Sequence, residues 1–303
     1  MGGSFAHAGD CALKLFLLGA GYSARALARL AALGGWQVAG TTRSPDGFGR
    51  LEQAGIAPFV FDGASIGSGM ANALGRTTHL VVSVAPSSEG GSDAVFPLVA
   101  DAVRAAMPAL EWIGYFSTVG VYGDRDGGWV DEDSECRPRP GRSTARLAAE
   151  RDWQALAAER GVPIAVMRLS GIYGPGRNAL VNLAEGTARR LIKPGQVFNR
   201  IHVDDIAGST LMLAGARKGG VFNVTDDEPA PPQDVVEYAA NLMGVAPPAE
   251  IDFATAELSP MARSFYGENK RVSNARLKAE GYRFVHPDYR SALGAMWRDG
   301  NWR

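Results

Sequence analysis

The chain reads as an α/β protein: a Rossmann-type doubly wound parallel sheet carrying a smaller C-terminal lobe. Three observations predict this. Short apolar runs alternate with stretches of helical spacing from Lys14 to Leu169, the pattern of a parallel sheet covered by helices on both faces. A glycine turn, Gly19-Ala20-Gly21-Tyr22-Ser23-Ala24, separates the first apolar run from the first helix. The alternation weakens after Tyr173, where short helices and the pairs Pro231-Pro232 and Pro247-Pro248 take over.

Lys14–Leu18 is a compact apolar run ending at Gly19 and forms the first strand. Tyr22–Leu33 has helical spacing through Leu27, Leu30 and Leu33 and stops at Gly34-Gly35, an ordinary helix ending. The second strand spans 36–42. Ser44-Pro45 opens the next helix, because serine can cap and proline suits a first turn. Strands follow at 56–61, 80–84 and 112–118, and 94–107 is the clearest of the helical stretches between them. A long helix over 143–160 and a strand over 163–169 complete the regular part.

Composition narrows the class of function. The formal net charge of the 303 residues is -1, so no global field steers the protein to nucleic acid or to an anionic membrane. No apolar run approaches the roughly 20 residues of a membrane span. Residues 1–12 lack a basic region followed by an apolar core, and Ala6 stands where an acylation signal needs Ser or Thr, so they read as a loose tail. Cys11 and Cys136 are too few for a disulfide framework or a zinc cage and read as reduced thiols of a cytoplasmic protein. His7, His79, His202 and His286 show no paired helical spacing, so no metal site is expected.

The glycine turn has a specific physical meaning. Gly19 permits a tight turn, Gly21 removes a side chain where a pyrophosphate would approach, and Ala24 lets helix and strand pack closely. The pyrophosphate would then meet the free N–H groups of the helix around Tyr22 and Ser23. The motif stands after a strand, before a helix and ahead of a second strand, the context a dinucleotide site requires. NAD sites place an acid at the end of the second strand. This chain has Thr42, Arg43 and Ser44 there, and an arginine fork matches a phosphate. The expected cofactor is NADP, with NAD as the alternative; Arg43 as a solvated surface charge is the competing reading. Asp62, after the third strand, is placed either to accept from the adenine amine or to cap its own turn. The expected cofactor domain covers 13–175, completed by about 200–226. Segments 176–199 and 227–303 form the smaller lobe.

Further motifs follow in order: Ser117-Thr118-Val119-Gly120-Val121-Tyr122-Gly123, Glu132, Arg168, Tyr173-Gly174-Pro175-Gly176, Arg200-Ile201-His202-Val203-Asp204-Asp205, Phe222-Asn223-Val224 and Asn269-Lys270-Arg271. Together they resemble the extended short-chain dehydrogenase/reductase family, the NAD-dependent epimerase/dehydratase-like group. The similarity is greatest to its atypical YeeZ-like branch. It runs roughly from Lys14 to the C-terminus.

The resemblance implies an NAD(P)-dependent oxidoreductase or epimerase/dehydratase-like enzyme acting on a sugar-like, carbonyl or alcohol substrate. Thr118 falls at the family's Ser/Thr position. Arg142 and Arg146 replace its Tyr-x-x-x-Lys pair. Arginine stays protonated at ordinary pH and cannot act as a general acid/base, although Arg146 can still hold a ribose or phosphate. Tyr122 or Tyr173 is the candidate substitute acid, the competing reading for each being a packed aromatic. The nicotinamide is expected near Ser83, Thr118 and Arg146, and the substrate near Tyr173, Arg177 and Arg200. His202 reads as a structural partner and Asp205 as a helix cap. The acidic stretch from Asp124 to Glu135 only partly mimics a calcium loop and reads as solvated. A homodimer is allowed, since homodimers are common in the family, though no helix face specifies one. The rival reading is a non-catalytic NADP(H)-binding sensor or regulatory module, favoured by the missing tyrosine.

Overall fold

A computed structural model describes residues 13–86 and 95–303, without the side chains of 260–262. The loose tail, Cys11, His7 and the start of the helix expected at 94 lie outside these residues. Seven parallel strands form one sheet: β1 (Lys14–Leu18), β2 (Gln37–Thr42), β3 (Ala57–Val60), β4 (His79–Val82), β5 (Trp112–Thr118), β6 (Ile164–Leu169) and β7 (Gly220–Val224). Their spatial order is β7-β6-β5-β4-β1-β2-β3. The helices are α1 (Tyr22–Leu33), α2 (Phe48–Glu52), α3 (Ser68–Leu74), α4 (Phe96–Ala105), α5 (Arg142–Arg160), α6 (Ala179–Ala184), α7 (Val203–Gly215), α8 (Pro232–Met243), α9 (Pro260–Phe265), α10 (Ala275–Ala279) and α11 (Tyr289–Arg298). Each strand expected from sequence is present with ends shifted by a residue or two, where terminal pairing frays. The helix expected from Ser44 begins as a single tight turn, Pro45–Gly47, before α2.

The strands sort their side chains by period two. Leu15 and Leu17 of β1 face one apolar cluster with Trp112 and Phe116 of β5 and Met167 of β6; helices α1 and α7 cover it. Phe16, Leu18, Ile113, Tyr115 and Val166 face the other, covered by α4 and α5. Both faces of the sheet are therefore dry. Gly114 is required by this packing: a Cβ there would lie 2.6 Å from the Trp112 ring.

A separate, smaller cluster joins Leu180 of α6, Val235 of α8 and Tyr289, Leu293 and Met296 of α11 to Tyr173. Two short parallel strands, Gly171–Tyr173 and Arg200–His202, lead into this lobe. A further short pair, Trp129–Val130 with Arg271–Val272, ties the acidic loop to the C-terminal part. Among the described residues, no helix is long and apolar enough to cross a membrane.

Candidate functional site

The strand order reverses between β1 and β4, and ligands of such sheets bind beyond the carboxyl ends of the strands at that point. A cavity of about 480 Å³ lies there. Its floor is the glycine turn. Gly19 sits at φ +86, and a Cβ there would meet Val84 Cγ2 at 2.8 Å. Gly19 N donates to Thr41 Oγ1 at 2.7 Å, which fixes the turn to β2. Gly21 is different: a Cβ on it would meet nothing within 4 Å. It precedes α1 without capping it by a side chain, so the first N–H groups of a 12-residue helix face this open space. Ser23 and Ala24 are buried behind the turn and serve the packing of α1 on the sheet.

Of the residues expected at the cofactor, Gly19, Gly21, Thr42, Arg43, Asp62 and Ser83 line this one cavity. Arg25 and Arg50 line it too, and the sequence reading did not include them. Burial first, and then the charges of Arg50 and Arg29, push the Arg25 guanidinium below its ordinary pKa. A Cβ on Gly47 would lie 2.2 Å from Thr42 Oγ1, so this glycine lets the tight turn close over the strand end. Asp62 Oδ1 accepts the Ala64 N–H at 2.9 Å. Asp62 thus caps its own turn while bordering the cavity. Ser44 donates to Asp46 Oδ2 at 3.3 Å and stays outside. Tyr22 also turns away, donating to the Pro175 carbonyl at 2.9 Å; burial pushes its phenol up to about 12.

At the end of β5, Thr118 Oγ1 accepts the Gly120 N–H at 3.1 Å, leaving its own proton free. A Cβ on Gly120 would lie 2.9 Å from Ser143 Oγ and 3.4 Å from Thr118 Oγ1, so glycine brings two hydroxyls to one place. Arg146 donates to the Phe116 carbonyl at 2.7 Å, and Arg142 is exposed at the start of α5. Gly120 and Val119 border a cavity of about 390 Å³, closed on its far side by Tyr173, Phe198, Arg200, Phe265 and Lys270. Tyr173, Arg177 and Arg200 also line a second lobe cavity of about 430 Å³. Arg200 is held by the Phe198 and Ala230 carbonyls, both at 3.0 Å. The Tyr173 hydroxyl is buried without a hydrogen-bond partner, and burial raises its pKa far above the ordinary phenol value.

Two expectations are corrected. Tyr122 is 0% exposed. Its hydroxyl donates to Asn223 Oδ1 at 2.7 Å and accepts from Arg168 Nη1 at 3.0 Å. It belongs to a buried network in which Arg168 also grips Glu150, at 2.8 Å from Nη2 to Oε2, and Ser117 donates to Glu150. It cannot reach a substrate from there. Asp205 does not cap α7; His202 does, its Nδ1 accepting the Asp204 N–H at 3.3 Å. Asp205 is fully buried and accepts from Tyr282 OH, Val285 N and His286 N at 2.9, 2.7 and 2.9 Å. His202, also buried, is pushed down to about 4 by loss of solvation and by nearby His286, so it is neutral at pH 7.

The family model described as "NAD dependent epimerase/dehydratase family" matches residues 16–225. Protein YeeZ of Escherichia coli (strain K12) is 29% identical over 290 residues, covering 91% of this chain and 97% of its own. A 3-diazoavenalumate denitrifying reductase of Streptomyces sp is 29% identical over 183 residues, 54% of this chain and 58% of its own. A functionally unknown conserved protein of Silicibacter pomeroyi superimposes with a TM-score of 0.87 at 45% identity, over 95% of this chain and 99% of that one.

Proposed function

This chain belongs to the NAD dependent epimerase/dehydratase family, and from that premise we propose that it is an NADP-dependent oxidoreductase or epimerase-like enzyme. Its substrate would be a sugar-like or other small carbonyl or alcohol compound. One observation carries the reading: the open space at Gly21 leads to a strand end ringed by Arg25, Arg43 and Arg50, with no acid in the position NAD sites use. The N-terminal N–H groups of α1 would hold the pyrophosphate, and Arg43 and Arg50 the 2′-phosphate. When bound, the cofactor supplies or accepts a hydride.

The protein's own part is orientation and polarisation. The Thr118 hydroxyl, its oxygen engaged by the Gly120 N–H, is free to donate to a substrate oxygen above Gly120. Arg146, fixed on the Phe116 carbonyl, sets a positive charge at the same strand end, where it stabilises a developing oxyanion or the ribose. The relative from Streptomyces, a reductase by name, is in keeping with this chemistry. The test is consumption of NADPH and NADH with a panel of aldehydes, ketones and sugar nucleotides. Turnover with NADPH in preference to NADH is the expected result. Equal use of both removes the cofactor assignment.

A second reading is a cofactor sensor without turnover. It is favoured by the sealed Tyr122 and by exposed Arg142 at the tyrosine position. Tight NADPH binding with no oxidation across the whole panel selects it.

A further inference from the structure

The segment from Arg200 to Asp205 contains a cluster that the cofactor cleft does not use. His202 Nδ1 accepts the Asp204 N–H, so its lone pair faces that side and its proton resides on Nε2. The same Nδ1 lies 3.6 Å from Asp204 Oδ2. From the other side His286 Nε2 lies 3.8 Å from that oxygen. The two imidazole rings are 4.0 Å apart between centroids and tilted by 58°. One ligand atom from each of the three residues lies within 4.8 Å of the others.

The surroundings hold this arrangement in place. Asp205 accepts the His286 N–H at 2.9 Å, which fixes the His286 backbone against α7 independently of its ring. The His202 ring is buried, with a side-chain exposure of 2%, whereas Asp204 is 58% exposed. The pocket of donors is therefore rigid on the inside and open to solvent on one side. The Asp204 carboxylate oxygen and the nitrogens of two imidazoles converge on this corner, and a metal bond to His202 Nδ1 would replace its weak hydrogen bond from the Asp204 N–H. The corner is electron-rich, and a cation placed there relieves it.

We propose that His202, Asp204 and His286 bind a divalent transition ion of the zinc or cobalt class, with water completing its coordination on the exposed side. Two imidazoles and one carboxylate suit such an ion, leaving open positions. Bonds of about 2.0–2.1 Å at tetrahedral angles need donor separations of roughly 3.3 Å. The two separations to Asp204 must close by a few tenths of an ångström, and the widest of the three, which lies within 4.8 Å, by up to about 1.5 Å. The ion clamps the start of α7 to the segment around His286.

The test uses the full chain freed of any affinity tag and of metal. Zn²⁺ is titrated calorimetrically, Co²⁺ is followed by its visible absorption, and Tm is measured with and without Zn²⁺. The expected result is one equivalent bound with Kd below about 10 μM and a higher Tm. Asp204→Asn and His286→Ala each weaken binding by about 10–100-fold. Asp204 is half-exposed, so Asp204→Asn decides the matter should His286→Ala fail to fold. Absence of saturable binding, or binding undiminished in Asp204→Asn, overturns the site.

Discussion

The Arg168 guanidinium lies 4.9 Å above the Tyr122 ring centroid and donates through Nη1 to the phenol oxygen at 3.0 Å. A tyrosine that stands in the most suggestive motif of the chain is thereby committed to the interior. Arg168 comes from β6, and the second partner, Asn223, from β7. The phenol joins two strands to the turn after β5. Burial pushes it up to about 12, which further disqualifies it as a proton donor near neutrality.

Tyr122→Phe therefore acts on stability. It strands the Arg168 donor and the Asn223 acceptor in a dry site, at a cost of about 1–3 kcal/mol. Thermal unfolding of the variant is expected at a lower Tm, with NADPH affinity unchanged. A loss of hydride transfer by about 100-fold at an unaltered Tm would return Tyr122 to the catalytic set.

The two glycines of the turn predict opposite phenotypes. Gly19→Ala places a Cβ 2.8 Å from Val84 Cγ2 at φ +86 and should destabilise the fold by about 1–3 kcal/mol. Gly21→Val meets no neighbour at Cβ, so the apo-protein keeps most of its Tm. The side chain then occupies the approach of the pyrophosphate, and NADPH binding is expected to fall by at least about tenfold. Paired melting curves and fluorescence titrations separate the two. Matching losses of Tm in both variants would contradict the assignment of open space at Gly21.

Arg43→Ala and Arg50→Ala each remove a charge-assisted donor from the strand end. NADPH affinity should drop by about 10–100-fold for each, corresponding to about 1.5–3 kcal/mol. NADH affinity should change little, because it lacks the phosphate those groups would hold. A parallel loss for both cofactors would instead place the arginines on the pyrophosphate.

Asp226 sets a pH dependence. Burial pushes its carboxyl up to about 8, outweighing the opposing pull of Arg200, and its Oδ2 has no hydrogen-bond partner. Between about 4 and 8 the folded protein holds a proton that the unfolded chain releases. This contribution is fully present below the unfolded pKa and is lost as pH rises through about 8. Asp226→Asn is expected to raise Tm at pH 9 by about 3 °C or more and to leave it nearly unchanged at pH 4. A wild-type Tm whose pH dependence from 5 to 9 matches that of Asp226→Asn, with the variant less stable throughout, would show that Asp226 is charged and paired in the folded state.

The sequence revealed the features that depend on near neighbours. The turn at Gly19 and Gly21 is legible because a strand, two glycines and a helix are consecutive. The sheet is legible because short apolar runs and helix spacing are local patterns. Arg25 and Arg50 were missed because they converge with Arg43 only through the phase of α1 and the tight turn at Pro45–Gly47. Asp205 is the third residue of α7, where an acid ordinarily serves the first turn. Its partners lie at Tyr282, Val285 and His286, and no local signal names them. His202 and His286 likewise share no spacing in the chain. They meet because Asp205 draws the C-terminal segment onto α7.

The sheet's outer strand has a consequence for how the protein is made. β7 pairs with β6, yet the chain leaves the sheet after Leu169, builds the strands Gly171–Tyr173 and Arg200–His202, and forms α7 before Gly220 returns. On the ribosome, the edge of β6 waits bare through all of that synthesis. Its N–H and C=O groups are a template for any other strand nearby, a hazard that folded proteins cover. A nascent chain halted before Gly220 thus leaves β6 uncovered, and β7, once it emerges, pairs with β6 and takes the edge position itself.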